Sequence, residues 1–558
     1  MATFHLGLST SGHDPALAIV DARGRVVFAE ATERFLQDKR AWGIAPDHVT
    51  HLLAALAAVG FERGRDRLEV ATSWATVKAD LPVQMSDTLL PATEALWLRG
   101  LQASLQASAG ASLLRLELAR EMPAVRRYDH HLCHAVAACV FAPVEDAACL
   151  VIDGEGEVGA VSLFDLRERT IRRRWRSWGP GSLGTLYAWI TKLCGFDWRL
   201  GEEWKVMGLA AYGTVVPELR DAMVSMMEVD RGRLRYAPAE TLERARSLIE
   251  RHARAADAPV MDAADLAASG QAAYAALAER VLAACDDGQT ENLILSGGCA
   301  LNSSFNGTIA GCSEFRRIFV PPAPADDGNA IGAAILSWMH STESTRIPGC
   351  DGSPFLGSTP SPGTMGRLGH FGSCGKVTDI GGDAPGQIAR RLADGRIIGV
   401  MRERAEFGPR SLGNRAILAD PRDPAMKDRI NRAVKGREPY RPFAPVIAEA
   451  DVDAWFERVQ SSPYMSFTLP WRPQRRSLVP AVVHEDGTGR LQTVSPGSAP
   501  WMHALTQEFG KLTGVPIVLN TSFNIMGKPI VHSVEDAVSV FMTTGLDALL
   551  VGDLLIEK

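Results

Sequence analysis

FHLGLSTSGHDPALAIVDARGRVVFAEAT, residues 4–32, reads as three strands joined by two turns. An apolar strand (HLGLST) meets a turn (SGHD). A second strand (PALAIVD), a polar turn (ARGR) and a third strand (VVFAEAT) follow. CLVIDGEGEVGAVSLFDLRERTIRRRWRSW, residues 149–178, has the same grammar: strand, Gly-rich corner, strand, polar turn, strand. A strand–turn–strand–turn–strand unit that occurs twice predicts a duplicated domain. In the second copy Gly154 and Gly156 remove side chains at the corner, so backbone N–H groups can approach an anion.

Duplicated meanders of this kind occur in the actin, hexokinase and Hsp70 superfamily, where the two corners face each other and hold nucleotide phosphates. Outward from the meanders, Ala/Leu/Arg-rich stretches at 47–59 and 263–284 read as helices. ENLILSGGCALNSS is a strand entering a Gly-Gly turn, and RRIFVPPAPADDGNAIGAAILSWM is a further strand, turn and helix. From about Ser341 to Gly382, Gly, Ser, Pro and Thr dominate, as in a linker. Beyond it, GQIARRLADG, RIIGVM, PAMKDRINRAV, WMHALTQEFGKLTG and VPIVLN alternate between helix and strand, and ALLVGDLLIEK closes the chain as a strand. The predicted class is α/β: a duplicated actin/hexokinase/Hsp70-like domain over 1–345, a linker over 346–383 and a smaller α/β domain over 384–558.

Bulk properties agree. At 558 residues the chain exceeds one ordinary core. Hydrophobic residues are 46% and charged residues 22%, typical of a soluble globular protein. The net charge of −6 argues against electrostatic gripping of nucleic acid. No basic-then-apolar leader opens the sequence and no run is long enough to span a bilayer, so a cytoplasmic protein without a membrane partner is expected. The nine cysteines are scattered without a CxxC pair, as reduced and packed thiols would be.

Three constellations carry chemistry. In DHHLCHAVAACV, His130 and His134 are four apart, one helical turn, so their imidazoles share a face and can share a metal. PPAPADDGNAIGAA offers Asp326 and Asp327 as carboxylate ligands, although aspartates there also cap helices. In the C-terminal domain Arg410, Arg415, Lys435, Arg437, Arg441 and Arg490 stand among Gly, Pro and apolar residues rather than on a charged helix. Such guanidinium groups suit a cleft that binds phosphate and carbamate-like oxygens. IVLNTSFNIMGKPIV ends a buried strand in polar residues that include Asn520 and Asn524, a common ligand-facing position in α/β domains.

Together GHDPALAIV, ERF…KR, HHLCHA, VIDGEGE, EEWKVMGLAAYG, LILSGGCALN, DDGNAIGAA, EFGPRSLGNRAILADP, VKGREPYRPFAP and LNTSFN…GKPIV make the chain resemble the O-carbamoyltransferase family of nodulation-factor and antibiotic biosynthesis. The resemblance spans nearly the whole chain. It implies an N-terminal domain similar to the tRNA threonylcarbamoyl transferase and a C-terminal domain similar to threonylcarbamoyl-adenylate synthase. It further implies that carbamoyl phosphate and ATP form carbamoyl-adenylate in the second domain, with Mg(II) accompanying ATP. Transfer to a small hydroxyl-bearing acceptor then occurs in the first domain, at iron(II) or another divalent metal. Carried over residue by residue, the metal ligands fall on His130, His134 and Asp326, and the phosphate loop on Asp153, Gly154 and Gly156. The nucleotide side falls on Lys205, Gly208, Gly297, Gly298 and Asn302. The carbamoyl phosphate and ATP site falls on Arg410, Arg415, Lys435, Arg441, Asn520 and Asn524, with Arg437 and Arg490 in catalytic roles. His13 and Asp14 match a pair that positions or deprotonates the acceptor hydroxyl, and residues 13–43 would choose the acceptor. Departures from the family pattern include Gly436 where histidine is usual and Glu155 in the phosphate turn. The competing readings are a tRNA-modifying threonylcarbamoyl transferase, a nucleotide-binding regulator without turnover and a sugar kinase. Acceptor identity, O- against N-carbamoylation, the native metal and the oligomeric state are not legible in the sequence.

Overall fold

Alternating and continuous apolar runs form β1 (Thr3–Leu8), β2 (Ala16–Val20) and β3 (Val26–Ala31), the first meander, with β4 (Arg67–Thr72) and β5 (Val125–Arg127) completing its sheet. The strand order is β3-β2-β1-β4-β5. The meander pairs are antiparallel, and β1/β4 and β4/β5 are parallel. The second meander is β6 (Ala147–Ile152), β7 (Val161–Arg167) and β8 (Thr170–Arg176). A two-stranded ribbon, β9 (Met227–Asp230) with β10 (Arg233–Tyr236), precedes β11 (Asn292–Ser296) and β12 (Arg317–Phe319). The second five-stranded sheet runs β8-β7-β6-β11-β12, with antiparallel meander pairs and parallel β6/β11 and β11/β12. Strand for strand this repeats the order and sense of the first sheet, so the duplicated actin-like fold is present.

The computed structural model describes residues 2–75, 88–120, 123–370 and 374–558. The chain divides into two units: Met1–Glu33 with Arg40–Gly352, and Arg34–Lys39 with Ser353–Lys558. The hexapeptide Arg34–Lys39 is held within the second unit. The Arg34 guanidinium donates to the Glu406 carbonyl at 2.6 Å and to that of Gly408, and Gln37 Nε2 donates to the Ile530 carbonyl at 3.0 Å.

In the first unit, Leu6, Leu8, Leu17, Ile19, Phe28, Leu52 and Val70 form a buried core, each large side chain contributing roughly 1.5–3 kcal/mol. Two glycines let the helix Asn329–Thr342 approach closely. A Cβ at Gly7 would lie 1.9 Å from the Ala330 carbonyl oxygen, and one at Gly332 would lie 2.1 Å from that of Cys133. This close approach sets the N-terminal end of Asn329–Thr342 against the helix His130–Phe141.

The second unit holds one sheet of nine strands: β13 (Lys376–Asp379), β14 (Ile398–Met401), β15 (Arg415–Ala419), β16 (Ala444–Ala448), β17 (Phe467–Pro470), β18 (Thr488–Val494), β19 (Ile517–Ser522), β20 (Ala548–Val551) and β21 (Leu554–Glu557). Their order is β13-β21-β20-β14-β15-β19-β16-β18-β17. The helices Ala384–Ala393 and Pro500–Thr513 bury Ile388, Leu392, Leu505 and Phe509 with Ile398, Val446 and Val518 of the sheet. Within 346–383 lie a short helix, Pro362–Met365, and β13; residues 371–373 are outside the described residues. The C-terminal ALLVGDLLIEK is a hairpin rather than one strand, because Gly552 takes φ 58° between β20 and β21. Among the described residues no helix is long and apolar enough to cross a membrane, and all nine cysteines are free thiols.

Candidate functional site

The helix His130–Phe141 begins where Asp129 caps it, its Oδ1 accepting from Leu132 N at 2.9 Å. Glu157 Oε1 accepts from the backbone N–H groups of His130 and Ala75, both at 2.8 Å. These contacts fix the first turn, and with it the imidazoles of His130 and His134, whose Nε2 atoms lie 3.2 Å apart. Asp153, one residue beyond β6, and Asp326, in the turn before Asn329–Thr342, bring carboxylates to the same point. Asp153 Oδ2 is 3.0 Å from His130 Nε2 and 3.4 Å from His134 Nε2. Asp326 Oδ1 is 3.5 Å from the first and 3.3 Å from the second. One ligand atom from each of the four residues falls within 4.8 Å of the others, and all four residues are buried.

Burial alone would push both imidazoles down. The carboxylates of Asp326 and Asp153 outweigh it, holding His130 well above the usual imidazole range and raising His134. Burial likewise works against ionisation of Asp326, but the His130 imidazole prevails and its carboxyl sits well below the usual range. The donor set suits a divalent transition metal. His130 Nδ1 faces the Ser73 carbonyl at 3.2 Å. The Asn329 amide nitrogen lies 3.2 Å from the same Nδ1, so both partners hold the ring while Nε2 faces the cluster. Two such imidazoles with two carboxylates are the ligands that iron(II), zinc and their neighbours accept.

Sequence reasoning set Asp153 with the phosphate turn; the structure brings its carboxylate among the imidazoles. The other oxygen, Oδ1, accepts from Gly298 N at 2.8 Å, joining the cluster to the Gly-Gly turn. Gly297 takes φ 89°, and a Cβ there would lie 2.2 Å from the Ile152 carbonyl oxygen. At Gly154 a Cβ would meet nothing within 4 Å, whereas at Gly156 it would meet His131 Nε2 at 2.7 Å. The Gly154 backbone is itself approached by Gly184, where a Cβ would lie 2.7 Å from Gly154 Cα, and Gly156 makes room for His131. Asn302 caps the short helix Ser303–Asn306 and exchanges two hydrogen bonds of 3.1 Å with Gln271. Lys205 and Gly208 lie on the helix Glu203–Leu209, where Lys205 Nζ pairs with Glu202 at 2.6 Å. That helix reaches the Gly-Gly segment through Met207 Sδ, 3.8 Å from Ser303 Oγ.

His13 adjoins the cluster, its Nε2 3.7 Å from Asp326 Oδ2. Its Nδ1 is 2.8 Å from Asp14 Oδ2. Asp14 adopts φ 49°, a left-handed conformation that aspartate tolerates, and its backbone N donates to the Arg40 carbonyl at 3.0 Å. Burial opposes ionisation of Asp14, but Arg40, 2.8 Å away, holds its carboxyl far below the usual range. Arg40 ends the ERF…KR motif and lies in the 13–43 stretch expected to choose the acceptor; its guanidinium touches both His13 and Asp14. Trp42 packs edge-on against His13, ring centroids 4.9 Å apart.

In the second unit, burial lowers Lys435, Arg437 and Arg490, and neighbouring cations lower them further. Arg437 and Arg441 act on Lys435, Arg441 acts on Arg437, and Arg410, Arg437 and Arg441 act on Arg490. Burial also brings Arg410 down to about 10. These five cations therefore share one pocket. Arg437 is aimed by Asn431 Oδ1, which accepts from its Nε at 2.7 Å, and lies over the Phe443 ring at 4.7 Å. Lys435 Nζ donates to Asn524 Oδ1 at 2.7 Å and to the Ser522 carbonyl. Asn520 is buried, its Nδ2 donating to the Ser411 carbonyl at 3.0 Å and to Gln492 Oε1 at 2.7 Å. Arg415 behaves differently from the other arginines. Its guanidinium donates to the backbone carbonyls of Arg402, Asn414, Ser358 and Glu403, so it braces the surrounding loop. Gly436 takes φ 58°, with open space where a side chain would begin.

The family model described as the carbamoyltransferase N-terminus matches residues 89–335, and that described as the carbamoyltransferase C-terminus matches 389–558. The nodulation protein NolNO of Sinorhizobium fredii is 39% identical over 441 residues, covering 77% of this chain and 63% of that protein. NolO of Bradyrhizobium diazoefficiens is 36% identical, covering 77% of this chain and 79% of that one. The 3'-hydroxymethylcephem-O-carbamoyltransferase of Amycolatopsis lactamdurans is 30% identical over 76% of this chain and 79% of that one.

Proposed function

Because the chain belongs to the carbamoyltransferase family, and is therefore a transferase, we propose that it is an ATP-dependent O-carbamoyltransferase working through carbamoyl-adenylate. The observation that carries this reading is the pocket in which Lys435, Arg437 and Arg490 are lowered by burial and by one another's charge and that of Arg410 and Arg441. Buried cations gain stability from a polyanion, and forked guanidinium groups match phosphate oxygens. Carbamoyl phosphate, ATP and its Mg(II) supply that charge. Water releases inorganic phosphate from carbamoyl phosphate and leaves carbamate. A carbamate oxygen then displaces pyrophosphate from the α-phosphorus of ATP, forming carbamoyl-adenylate. Arg437 and Arg490 stabilise the charge that develops on the transferring phosphoryl group.

In the first unit His130, His134 and Asp326, with Asp153 as a fourth donor, would hold the divalent metal, iron(II) in this reading. When bound, the metal supplies Lewis-acid polarisation of a carbonyl. His13 receives the acceptor hydroxyl at Nε2, while Asp14 Oδ2 and the Arg40 guanidinium, 2.8 and 2.9 Å from Nδ1, hold the ring in place. Arg40 keeps Asp14 ionised. The acceptor oxygen attacks the carbamoyl carbon, AMP leaves and a carbamate ester forms. The cephem relative supports a hydroxymethyl-bearing small molecule as the acceptor class.

Pyrophosphate release from ATP, measured without acceptor and with or without carbamoyl phosphate, tests this reading. Release that requires carbamoyl phosphate is the expected result. Formation of ADP without pyrophosphate would replace it with a kinase reading.

A further inference from the structure

His484 stands beside the guanidinium pocket, and the reaction described so far does not use it. It starts the turn into β18: His484 N donates to the Thr488 carbonyl at 2.8 Å, and Gly487 N donates to the His484 carbonyl at 2.9 Å. Gly487 takes φ 77°, which closes the turn. Two residues into the strand comes Arg490. The charges that act on the imidazole are Asp486, Arg490 and Lys427, and the Phe443 carbonyl also faces it. Phe443 is the residue whose ring carries Arg437.

The side-chain hydrogen bonds fix the tautomer. Thr488 Oγ1 has one proton, and it goes to Asp486 Oδ1 at 2.7 Å, since that carboxylate can only accept. Toward His484 Nδ1, at 3.1 Å, the hydroxyl oxygen therefore offers a lone pair, and Nδ1 must carry the hydrogen. Nε2 is left with its own lone pair. It is buried and has no hydrogen-bond partner within the protein. An unsatisfied buried acceptor is costly unless a ligand completes it. Burial, reinforced by Arg490 and Lys427 against the opposing Asp486, brings the ring down to about 4, so at neutral pH no proton occupies that lone pair.

The charged groups assigned to the pocket are all cations, suited to phosphate oxygens. A neutral acceptor among them selects a different part of the ligand, one that carries N–H. Carbamoyl phosphate and acetyl phosphate have the same shape and differ in NH2 against CH3. We infer that His484 is a specificity-determining residue whose Nε2 accepts a hydrogen bond from the carbamoyl NH2, and so selects the carbamoyl group over an isosteric acyl group. This inference rests on the reading of the guanidinium pocket as the carbamoyl phosphate site.

Two stable phosphonates test it by calorimetry on the full chain. Phosphonoacetamide keeps the NH2, and acetonylphosphonate has CH3 in its place. The wild type is expected to bind phosphonoacetamide at least ~10-fold more tightly, the scale of a lost hydrogen bond to a buried acceptor. In His484→Ala that preference disappears while affinity for acetonylphosphonate stays within about threefold, because the cations that hold the phosphonate are untouched. His484→Gln, whose amide oxygen can accept in place of Nε2, restores part of the preference. An unchanged preference in His484→Ala overturns the inference, and so does an equal loss for both phosphonates. If the wild type binds neither phosphonate, the carbamoyl phosphate reading of the pocket fails, and the selective role of His484 falls with it.

Discussion

The imidazole–carboxylate cluster of the first unit and the guanidinium pocket of the second both bury charge, and they do so in opposite ways. Around His130, opposite charges approach to between 3.0 and 3.5 Å, so the imidazoles rise and Asp326 falls as each stabilises the other's ionised form. Around Arg437, like charges adjoin, and Lys435, Arg437 and Arg490 move down because burial and repulsion between cations outweigh Glu438 and Tyr440. The first arrangement offers lone pairs to a cation and the second offers N–H donors to an anion. A reaction that needs Lewis-acid help at a carbonyl and charge neutralisation at a phosphate calls for both kinds of site.

The largest effect that would break this contrast concerns the metal. His130→Ala removes one of four donors, and affinity for a divalent metal is expected to fall more than ~100-fold, beyond what loss of an outer partner costs. Metal content measured after dialysis against a fixed chelator checks this. Retention of metal by the variant would show that the cluster is an ion-pair network only.

A smaller effect sharpens the distinction within the second unit. Arg415→Ala leaves buried backbone carbonyls without donors, and chemical denaturation is expected to show a loss of about 1–3 kcal/mol or more. The effect of pyrophosphate should be comparable. At 100 times its dissociation constant a ligand adds about 2.7 kcal/mol to the stability of the unit that binds it. Its thermal shift is expected in the wild type and largely absent in Arg437→Ala. A shift that survives in Arg437→Ala would place the anion elsewhere.

The smallest effect is a pH dependence. Burial, with Arg490 and Lys427, lowers His484 from 6.5 to about 4 in the folded chain. Between those values the unfolded chain takes up the proton more readily. The stability from neutral His484 is therefore present above pH 6.5 and is lost as pH falls through that window toward about 4. His484→Gln lacks this term, so from pH 7 to pH 4.5 its melting temperature should fall less than that of the wild type. Parallel declines would contradict the assignment.

Much of this was readable because local pattern and tertiary outcome coincide. The two meanders announce themselves through turn residues, and their sheets have the same strand order. His130 and His134 declare a shared face by their spacing, and Asp326 stands in a turn whose helix is drawn in by Gly7 and Gly332. What was hidden depends on position in space. Asp153 looks like part of a glycine turn, and only the approach of β6 to the helix His130–Phe141 takes its carboxylate to the imidazoles. Arg410 and Arg415 look alike in sequence, yet four carbonyls enclose Arg415. Arg40 sits 26 residues from Asp14 and joins it through a loop that no periodicity describes. The signal for His484 is a Thr and an Asp within four residues, legible as a tautomer lock only once their distances are known.

Division of labour between the two units is the central claim, and pyrophosphate release in two variants tests it without any knowledge of the acceptor. With ATP and carbamoyl phosphate, His130→Ala should release pyrophosphate within about threefold of the wild-type rate, while Arg437→Ala should fall by roughly 100-fold or more, the effect of removing one donor to transition-state charge. Equal loss in both variants would contradict the account, since adenylate formation would then depend on the imidazole–carboxylate cluster as much as on the guanidinium pocket.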